Sequence, residues 1–373
     1  MKNNPLSLRY SATRKLWITI IVIAIVAAIA FAFSPRRTPV PAADKQVVKI
    51  GVILPLTGEA AHFGDAAKIG IKMFEQDVAD SGFQYRIILE DNMLNPGKTA
   101  TIAHKMIHAD KVDVIISLAS DIGMVVSPIA QREKVLHFAI ATEERIADGD
   151  YNFLNATPPN KHAEKLIREL EKRKYKRPAL IIQNNHMMMS VADYIRKYAN
   201  ESKKLNLVFN EIVNPGEKDY RLLIAKALKS KPDIIVAQLY IPEILIFAKQ
   251  LREQDKNIPI TTIESFGYSE DKSLFENQWY IDITVPTGDF IARYKEFSNS
   301  ENTYFAEFLH VVLNVIKDNV DKSMSKEQII ENTLKYKNKN TVVGQISYDG
   351  RGILQTESSV KIIKNGMPVV IKE

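Results

Sequence analysis

The sequence alternates between strand-like and helix-like segments, and this alternation constrains the fold more than any other feature. Its first unit spans residues 47–78. Residues 48–54 are mostly apolar and β-branched, which is typical of a parallel strand covered on both faces. The strand pattern breaks at Pro55, and after a Thr-Gly turn the apolar residues take a helical spacing. A loop between such a strand and helix lies at the carboxyl end of a sheet, where open α/β folds bind ligands.

The same alternation continues through most of the chain. Further strands are predicted at residues 85–89, 112–117, 136–140, 179–183, 207–212, 234–238 and 258–263. Helices are predicted at residues 98–109, 122–132, 161–174, 190–203, 220–229 and 242–254. Because alternating strands and helices form parallel sheets with right-handed crossovers, the two series predict an α/β protein with two similar doubly wound sheets. Residues 155–159 and 265–286 are the predicted crossings between two lobes.

The C-terminal part departs from this alternation. Helices are predicted at residues 305–319, where an apolar stripe is interpreted as core, and at residues 325–335, which open with a capping-box spacing. Strands follow at residues 341–348 and 360–371, and Asn365-Gly366 within the second is a hairpin-turn signal.

The positive charge of the chain is concentrated near its amino terminus. The formal charge is +6, and the same number of basic residues supplies it: Lys2, Arg9, Arg14, Lys15, Arg36 and Arg37. The other 44 of the 50 basic residues balance the 44 acidic ones. The body therefore lacks the excess of positive charge expected of a nucleic-acid-binding surface.

Residues 16–33 form an uncharged apolar run of 18 residues, which predicts either a transmembrane signal anchor or a cleavable signal peptide. The run is longer than the usual h-region of about 7–15 residues, which favours an anchor preceded by a basic cytoplasmic segment at residues 1–15. Ala30 and Ala32 nevertheless provide an A-x-A cleavage site. Either outcome places a proline-rich linker at residues 34–46 and the body outside the bacterial cytoplasm, anchored in the inner membrane or free in the periplasm.

The sequence contains no complete motif for catalysis or for a cofactor. The tetrapeptide PGKT at residues 96–99 imitates the end of a P-loop, but Asn92 stands where that pattern requires a glycine. We predict instead that Asn95 caps a helix whose first residue is a proline. G-x-S-x-G and G-x-G-x-x-G are absent as well, so we expect a protein that is not an enzyme and uses no cofactor.

Metal ligands are also sparse in the sequence. His104 and His108 are spaced one helical turn apart, which can bind a metal, but the sequence shows no third ligand beside them. Two surface histidines and no metal site are therefore predicted. The chain has no cysteine, which excludes disulfides, thiolate metal sites and a cysteine-linked lipid anchor.

A few polar residues follow predicted strands and are candidates for ligand contacts. Ser120 precedes a helix, so its hydroxyl and the amides behind it could hold an anion such as a carboxylate, or the serine could only cap the helix. Thr142 follows the next strand in the same way. Glu243, just inside a helix, could pair with an ammonium group or could complement the helix dipole.

Together these segments resemble the periplasmic binding proteins of the leucine/isoleucine/valine-binding type, the extracytoplasmic substrate-binding subunits of ABC importers. The matching stretches are VVKIGVILPLTGEAAHFGDAAKIGIKMF, EDNMLNPGKTATIAHKMI, VDVIISLAS, PGEKDYRLLIAKALKSKPDIIVAQLYIPEILIFAKQLRE and GQISYDGRG. The resemblance implies two α/β lobes joined by a three-strand hinge and closing on a small ligand. It places lobe 1 at about residues 47–155 and 286–325, and lobe 2 at about residues 156–285 and 326–373.

The resemblance also implies a set of ligand-binding residues, which are Thr57, Phe63, Ser120, Ala141, Thr142, Met188, Tyr240 and Glu243. Hydroxyl and backbone donors of the first lobe would hold a carboxylate, and the segment from Tyr240 to Glu243 would reach an amino group. The sequence departs from the family where Met188-Met189 replace a tyrosine-glycine pair, which suits a more apolar or larger ligand. It departs again at residues 264–267, where the usual acid-glycine pair is blurred.

The resemblance implies capture of a small organic ligand, an amino acid or a related carboxylate, for import through an ABC permease in the inner membrane. The alternative is a membrane-tethered regulatory or structural protein that keeps the binding-protein fold and engages a protein partner. Neither interpretation involves nucleic acid.

Overall fold

The computed structural model describes residues 47–371 apart from residues 83, 270, 284, 300–302 and 304. The strands of this part of the chain are β1 (Val48–Leu54), β2 (Tyr85–Asp91), β3 (Val114–Leu118), β4 (Leu136–Ile140), β5 (Asn152–Leu154), β6 (Pro178–Gln183), β7 (Phe209–Val213), β8 (Ile234–Gln238), β9 (Ile260–Thr261), β10 (Trp279–Asp282), β11 (Lys339–Thr341), β12 (Gly344–Tyr348), β13 (Leu354–Gln355), β14 (Ser359–Lys364) and β15 (Met367–Val370). The α-helices are α1 (Ala61–Val78), α2 (Pro96–Lys105), α3 (Ser120–Glu133), α4 (Pro159–Lys172), α5 (His186–Glu201), α6 (Arg221–Lys229), α7 (Glu243–Gln254), α8 (Ser265–Tyr268), α9 (Gly288–Lys295), α10 (Ala306–Asn319) and α11 (Lys326–Leu334). A π-helical turn lies at Met106–Asp110, and 3-10 turns lie at Glu144–Ala147 and Ser273–Phe275.

The first lobe is built on a five-stranded parallel sheet in the order β2-β1-β3-β4-β5. Strands β1, β3 and β4 are buried almost throughout, because helices cover both faces of their apolar residues, whereas the edge strand β2 is partly exposed. Helices α1 and α10 pack side by side on this sheet. Gly70 of α1 permits the approach, since a Cβ atom there would lie 2.6 Å from the carbonyl oxygen of Ala306.

The second lobe is built on a four-stranded parallel sheet in the order β7-β6-β8-β9. The central strands β6 and β8 are buried, as their apolar runs predict. Helix α5 begins at His186 rather than at the predicted residue 190, because the Asn185 side chain caps it by accepting from the amide of Met188 at 2.9 Å. The prediction of an α/β protein with two parallel-sheet lobes is confirmed.

The C-terminal strands form two antiparallel sheets, β10-β14-β15 and β11-β12-β13. Strands β14 and β15 are joined at Asn365 and Gly366, whose φ angles of 52° and 72° are those required by a tight type I′ hairpin. The hairpin turn predicted from this dipeptide is therefore confirmed.

The chain passes between the two lobes after β5, after β10 and after β13. The hydroxyls of Thr157 and Thr356 are hydrogen-bonded at 2.9 Å, which ties the first of these crossings to the last. The second crossing is shorter than predicted, because β10 still pairs with β14 and bridges to Ile263 in the second lobe.

The C-terminal residues divide between the lobes differently from the predicted assignment of residues 326–373 to lobe 2. Helix α11 packs against α10, and its Ile329 belongs to the same apolar core as β1. Strand β12 contributes Ile346 and Tyr348 to that core. Only the segment from β14 onward joins the second lobe, so burial of apolar side chains places residues 326–355 with the first.

The predicted basic segment at residues 1–15, the apolar run at residues 16–33 and the linker at residues 34–46 lie outside the described residues. Within the described residues, the helices are too short or too polar to cross a membrane.

Candidate functional site

A cavity of about 50 Å³ lies between the two lobes, at the carboxyl ends of both parallel sheets. Each of the strands β3, β4, β6 and β8 is followed by a segment that borders it. The residues around it are Phe63, Leu94, Leu118, Ala119, Ser120, Ile140, Ala141, Thr142, Ala156, Met187, Tyr240, Glu264, Tyr268 and Phe305. The lining is mostly apolar and carries a few polar groups, as is typical of small-molecule sites.

One side of the cavity offers hydrogen-bond donors from the first lobe. The amide of Thr142 donates to Ser120 Oγ at 3.2 Å, and the two hydroxyl oxygens lie 3.5 Å apart. Ser120 begins α3, and the first amides of a helix have no partner within it. Hydroxyls together with the amides of a helix N-terminus can hold a carboxylate.

The backbone before α3 is held in an unusual conformation. Ala119 has φ 85° and ψ 147°, a region that residues other than glycine rarely adopt. Its amide donates to the carbonyl of Ile140 at 3.0 Å, which ties the loop to the end of β4. Glu264 and Phe305, which also border the cavity, have positive φ angles as well. Such residues cluster at ligand sites, so the strained backbone supports a binding role for this region.

Aromatic rings form a second wall of the cavity. The ring centroid of Tyr268 lies 5.8 Å from that of Phe63, 5.7 Å from that of Phe305 and 5.4 Å from that of Tyr240. These spacings are those of attractive aromatic pairs, so the rings form one cluster that reaches from the first lobe to the second.

Among the described residues, Glu264 is the acidic one that borders the cavity, and it is buried with its own partners inside the second lobe. Tyr268 Oη donates to Glu264 Oε2. His162 Nε2 lies 2.9 Å from Glu264 Oε1, close enough for an ion pair, although the two atoms are not aligned as a hydrogen bond. The other ring nitrogen of His162 lies 3.0 Å from Ser358 Oγ. The protein thus supplies two partners for the carboxylate that faces the ligand space.

Tyr240 follows β8 and is held at the cavity by the end of the neighbouring strand β6. Its amide donates to the buried Gln183 Oε1 at 2.7 Å. Burial raises the pKa of the Tyr240 phenol, and the nearby Glu264 carboxylate raises it further. The phenol is therefore neutral over the physiological range and presents a polar hydroxyl beside an apolar ring.

A side-chain contact links the lobes beside the cavity. Tyr194 Oη of α5 donates to Glu144 Oε1 of the first lobe at 2.8 Å. Burial and this hydrogen bond raise the pKa of Tyr194 to about 12, so the phenol stays protonated and the contact persists at neutral pH.

The structure brings together five of the eight predicted ligand-binding residues, which are Phe63, Ser120, Ala141, Thr142 and Tyr240. Thr57 lies apart from them, because its exposed hydroxyl donates to Asp91 Oδ2 at 2.6 Å. The contact of the other five residues with a ligand stays a prediction.

Met188 and Glu243 also lie away from the cavity. Met188 is fully buried in the core of the second lobe, and the preceding residue Met187 borders the cavity instead. Glu243 Oε1 accepts from the amide of Gly216 at 2.7 Å, which fixes the loop after β7. A helix turns about 100° per residue, so two adjacent residues point in different directions. Assigning the pocket position to Met188 instead of Met187 therefore exchanged a core residue for one at the cavity.

The acid at the cavity is Glu264, not Glu243. The segment 264–267 contains this acidic residue, but it was not chosen as a ligand contact because the segment departs from the family pattern. Tyr268 and His162 gave no comparable signal, because their contacts with Glu264 exist only in the folded lobe.

Comparison with known proteins agrees with this architecture. The family model described as "Periplasmic binding protein" matches residues 47–329. The chain is 24% identical over 360 residues to the Leu/Ile/Val-binding protein BraC3 of Rhizobium johnstonii, a match that covers 90% of this chain and 94% of that protein.

Two solved structures share the fold at lower sequence identity. A leucine-binding protein from Thermotoga maritima superposes with a TM-score of 0.79 at 22% identity, covering 87% of this chain and 98% of that one. A solute-binding protein of an ABC transporter from R. palustris, in complex with benzoate, superposes with a TM-score of 0.76 at 14% identity, covering 87% and 96%.

Proposed function

The chain belongs to the periplasmic binding protein family, the substrate-binding proteins of ABC transporters, and we propose that it captures a small organic carboxylate between its lobes for import. This is a family of binding proteins rather than of enzymes. The partner that receives the ligand would be an ABC permease of the inner membrane, and residues 16–33 would export or anchor the body on the outer side.

The cavity between the lobes carries this proposal. The donors at Ser120 and Thr142 come from one lobe, whereas Tyr240 and Glu264 come from the other. A ligand that contacts both sides interacts fully only with the closed form, so its differential affinity would favour closure. Closure of the lobes would bring the Tyr194 hydroxyl and the Glu144 carboxylate close enough to form their hydrogen bond between the lobes.

The ligand class follows from the donor side of the cavity. Hydroxyls and helix amides suit a carboxylate. The Rhizobium relative is named for amino acids and the R. palustris structure holds benzoate, and a carboxylate is the group that these ligands share. An apolar body would pack on the aromatic cluster around Tyr268.

The alternative is a membrane-tethered protein that engages a protein partner. The observation in its favour is the small volume of this cavity, about 50 Å³, which the aromatic side chains leave beside Ser120 and Tyr240. That space holds a few water molecules, so an organic ligand at this position requires the rings or the lobes to move.

A thermal-unfolding screen separates the two functions. The purified protein is heated with branched-chain amino acids, their 2-oxo acids, benzoate and hydroxybenzoates, each over a range of concentrations. A ligand at 100 times its Kd stabilises the folded state by about 2.7 kcal/mol, which raises Tm by a few degrees. If no compound in the panel raises Tm and calorimetry shows no heat, the capture of these carboxylates is excluded and the tethered alternative is favoured.

A further inference from the structure

A cluster of His104, His108 and Glu133 lies on the surface of the first lobe, outside the residues that border the cavity. We propose that it binds a divalent transition-metal ion of the Zn²⁺ class. One donor atom from each residue can be chosen so that all three lie within 4.8 Å of one another. The sequence showed only the two histidines, and the fold supplies the third ligand whose absence argued against a metal.

The backbone positions of the three residues are set by buried packing. His104 lies in the last turn of α2, His108 in the π-helical turn that follows it, and Glu133 at the last residue of α3. The apolar faces of α2 and α3 share one core, to which Ala103 and Ala130 belong. The ligands therefore project from elements that are fixed before any ion binds, which lowers the ordering cost of binding.

The two imidazoles already lie face to face. Their ring centroids are 5.8 Å apart and their planes differ by 9°. Glu133 Oε2 lies 3.7 Å from His108 Nε2. In a tetrahedral zinc site with bonds of about 2.0–2.2 Å, donor atoms lie about 3.4 Å apart. Because the side chain of His108 is 57% exposed, a rotation that closes the remaining distance meets little resistance.

Two of the neighbouring positive charges, Lys105 and Arg132, are paired with carboxylates. Lys105 Nζ lies 2.6 Å from Glu90 and 3.0 Å from Asp110. Arg132 Nε contacts Glu133 at the other carboxylate oxygen, Oε1, at 3.1 Å. Glu133 Oε2 can thus face the histidines while Arg132 stays in place.

The donor set specifies the class of ion. Two imidazole nitrogens and one carboxylate oxygen are the protein ligands of many zinc sites, and they leave a fourth position for water. Imidazole suits Zn²⁺, Ni²⁺ and Cu²⁺, whereas Mg²⁺ and Ca²⁺ prefer oxygen ligands. Mg²⁺ therefore serves as the negative control.

The test is calorimetric titration of the full-length protein, purified without a histidine tag, with Zn²⁺ in chelator-free buffer. We expect one ion per chain, no heat with Mg²⁺, and at least a tenfold loss of affinity in each of His104→Ala, His108→Ala and Glu133→Gln. The matched control is His186→Ala, which removes a histidine of 43% side-chain exposure outside the cluster and should leave the affinity unchanged.

A second measurement uses Co²⁺ as a spectroscopic probe, since the visible absorption of a low-coordinate Co²⁺ site should disappear in the cluster variants and persist in His186→Ala. Equal Tm values in EDTA show that each variant folds. The proposal is overturned if the parent protein binds no Zn²⁺, or if the three cluster variants bind it as tightly as the parent does. Neither outcome depends on ligand capture between the lobes.

Discussion

His162 Nε2 lies 2.9 Å from Glu264 Oε1, and the two side chains are 0% and 1% exposed. His162 belongs to the first turn of α4, whereas Glu264 follows β9 and borders the cavity. A buried carboxylate is costly unless it is paired, so the imidazole stabilises Glu264 from inside the lobe. His162 therefore influences how strongly Glu264 can interact with a ligand, although His162 is not among the residues that border the cavity.

We predict that His162→Gln raises the affinity for an amino acid relative to the 2-oxo acid with the same side chain. The substitution removes the imidazole nitrogen that lies 2.9 Å from Glu264 Oε1 and leaves a shorter side chain, so that carboxylate oxygen would be open to a hydrogen bond from the ammonium group of an amino acid. A hydrogen bond to a charged group contributes roughly 1.5–3 kcal/mol, which corresponds to a gain of at least about tenfold. Calorimetry with both compounds on both proteins measures the ratio of affinities.

The control for this change is the double variant His162→Gln with Glu264→Gln. Without the carboxylate, the preference for the amino acid should disappear again. An affinity ratio that is the same in the parent and in His162→Gln would show that the imidazole does not govern the charge that Glu264 presents.

Ser120→Ala should weaken the binding of any carboxylate that stabilises the protein. The substitution removes the hydroxyl that accepts from Thr142, and with it a candidate donor to the ligand. The expected loss is roughly 0.5–3 kcal/mol, measured by calorimetry with the best compound from the screen. Thr57→Ala is the matched control, because Thr57 contacts Asp91 outside the cavity. Similar losses in both variants would place the carboxylate elsewhere.

Local features of the fold were predictable because they depend on neighbours in sequence. The apolar runs identified the buried strands, and Asn95 caps α2 by accepting from the Lys98 amide, as predicted. The capping box of Ser325 and Gln328 is also present, with both of its hydrogen bonds formed. Propensity, capping and turn chemistry act within a few residues, so a single sequence is enough to find them.

Contacts between distant residues were not predictable in this way. Glu243 and Glu264 both follow strands of the second lobe. Only the packed structure shows that the Glu243 carboxylate accepts a hydrogen bond from the Gly216 amide. Glu133 likewise joins His104 only because α2 and α3 pack together. These relationships depend on how helices and strands pack in three dimensions, which a pattern of residue types does not specify.

The adjacent residues Met187 and Met188 should respond oppositely to truncation. Met188→Ala leaves a hole in the core of the second lobe, so the free energy of unfolding should fall by about 2–5 kcal/mol while ligand affinity stays near that of the parent. Met187 borders the cavity and is partly exposed, so Met187→Ala should change ligand affinity with a smaller effect on stability. Denaturant unfolding and calorimetry measure the two quantities, and the reverse pattern would contradict the position of Met187 at the cavity.

His137 should make the folded protein less stable as the pH falls. It is fully buried, with Ser117 Oγ 2.8 Å from Nε2 and Asn152 Oδ1 2.9 Å from Nδ1. Burial lowers its pKa from 6.5 to about 4, although the Asn152 hydrogen bond opposes the shift. The unfolded chain therefore binds a proton below about pH 6.5 that the folded chain excludes, and stability is lost between about pH 6.5 and pH 4.

From these pKa values, the contribution of His137 to the free energy of unfolding should fall by about 2 kcal/mol between pH 7 and pH 5. The measurement is urea unfolding of the parent and of His137→Gln at both pH values. Glutamine can hydrogen-bond to Ser117 and Asn152 but does not titrate, so the variant should lose about 2 kcal/mol less than the parent. Asp77 and Asp91, whose pKa values are lowered, titrate in both proteins and cancel in the comparison. An equal loss in the two proteins would mean that His137 is not the group that takes up the proton on unfolding.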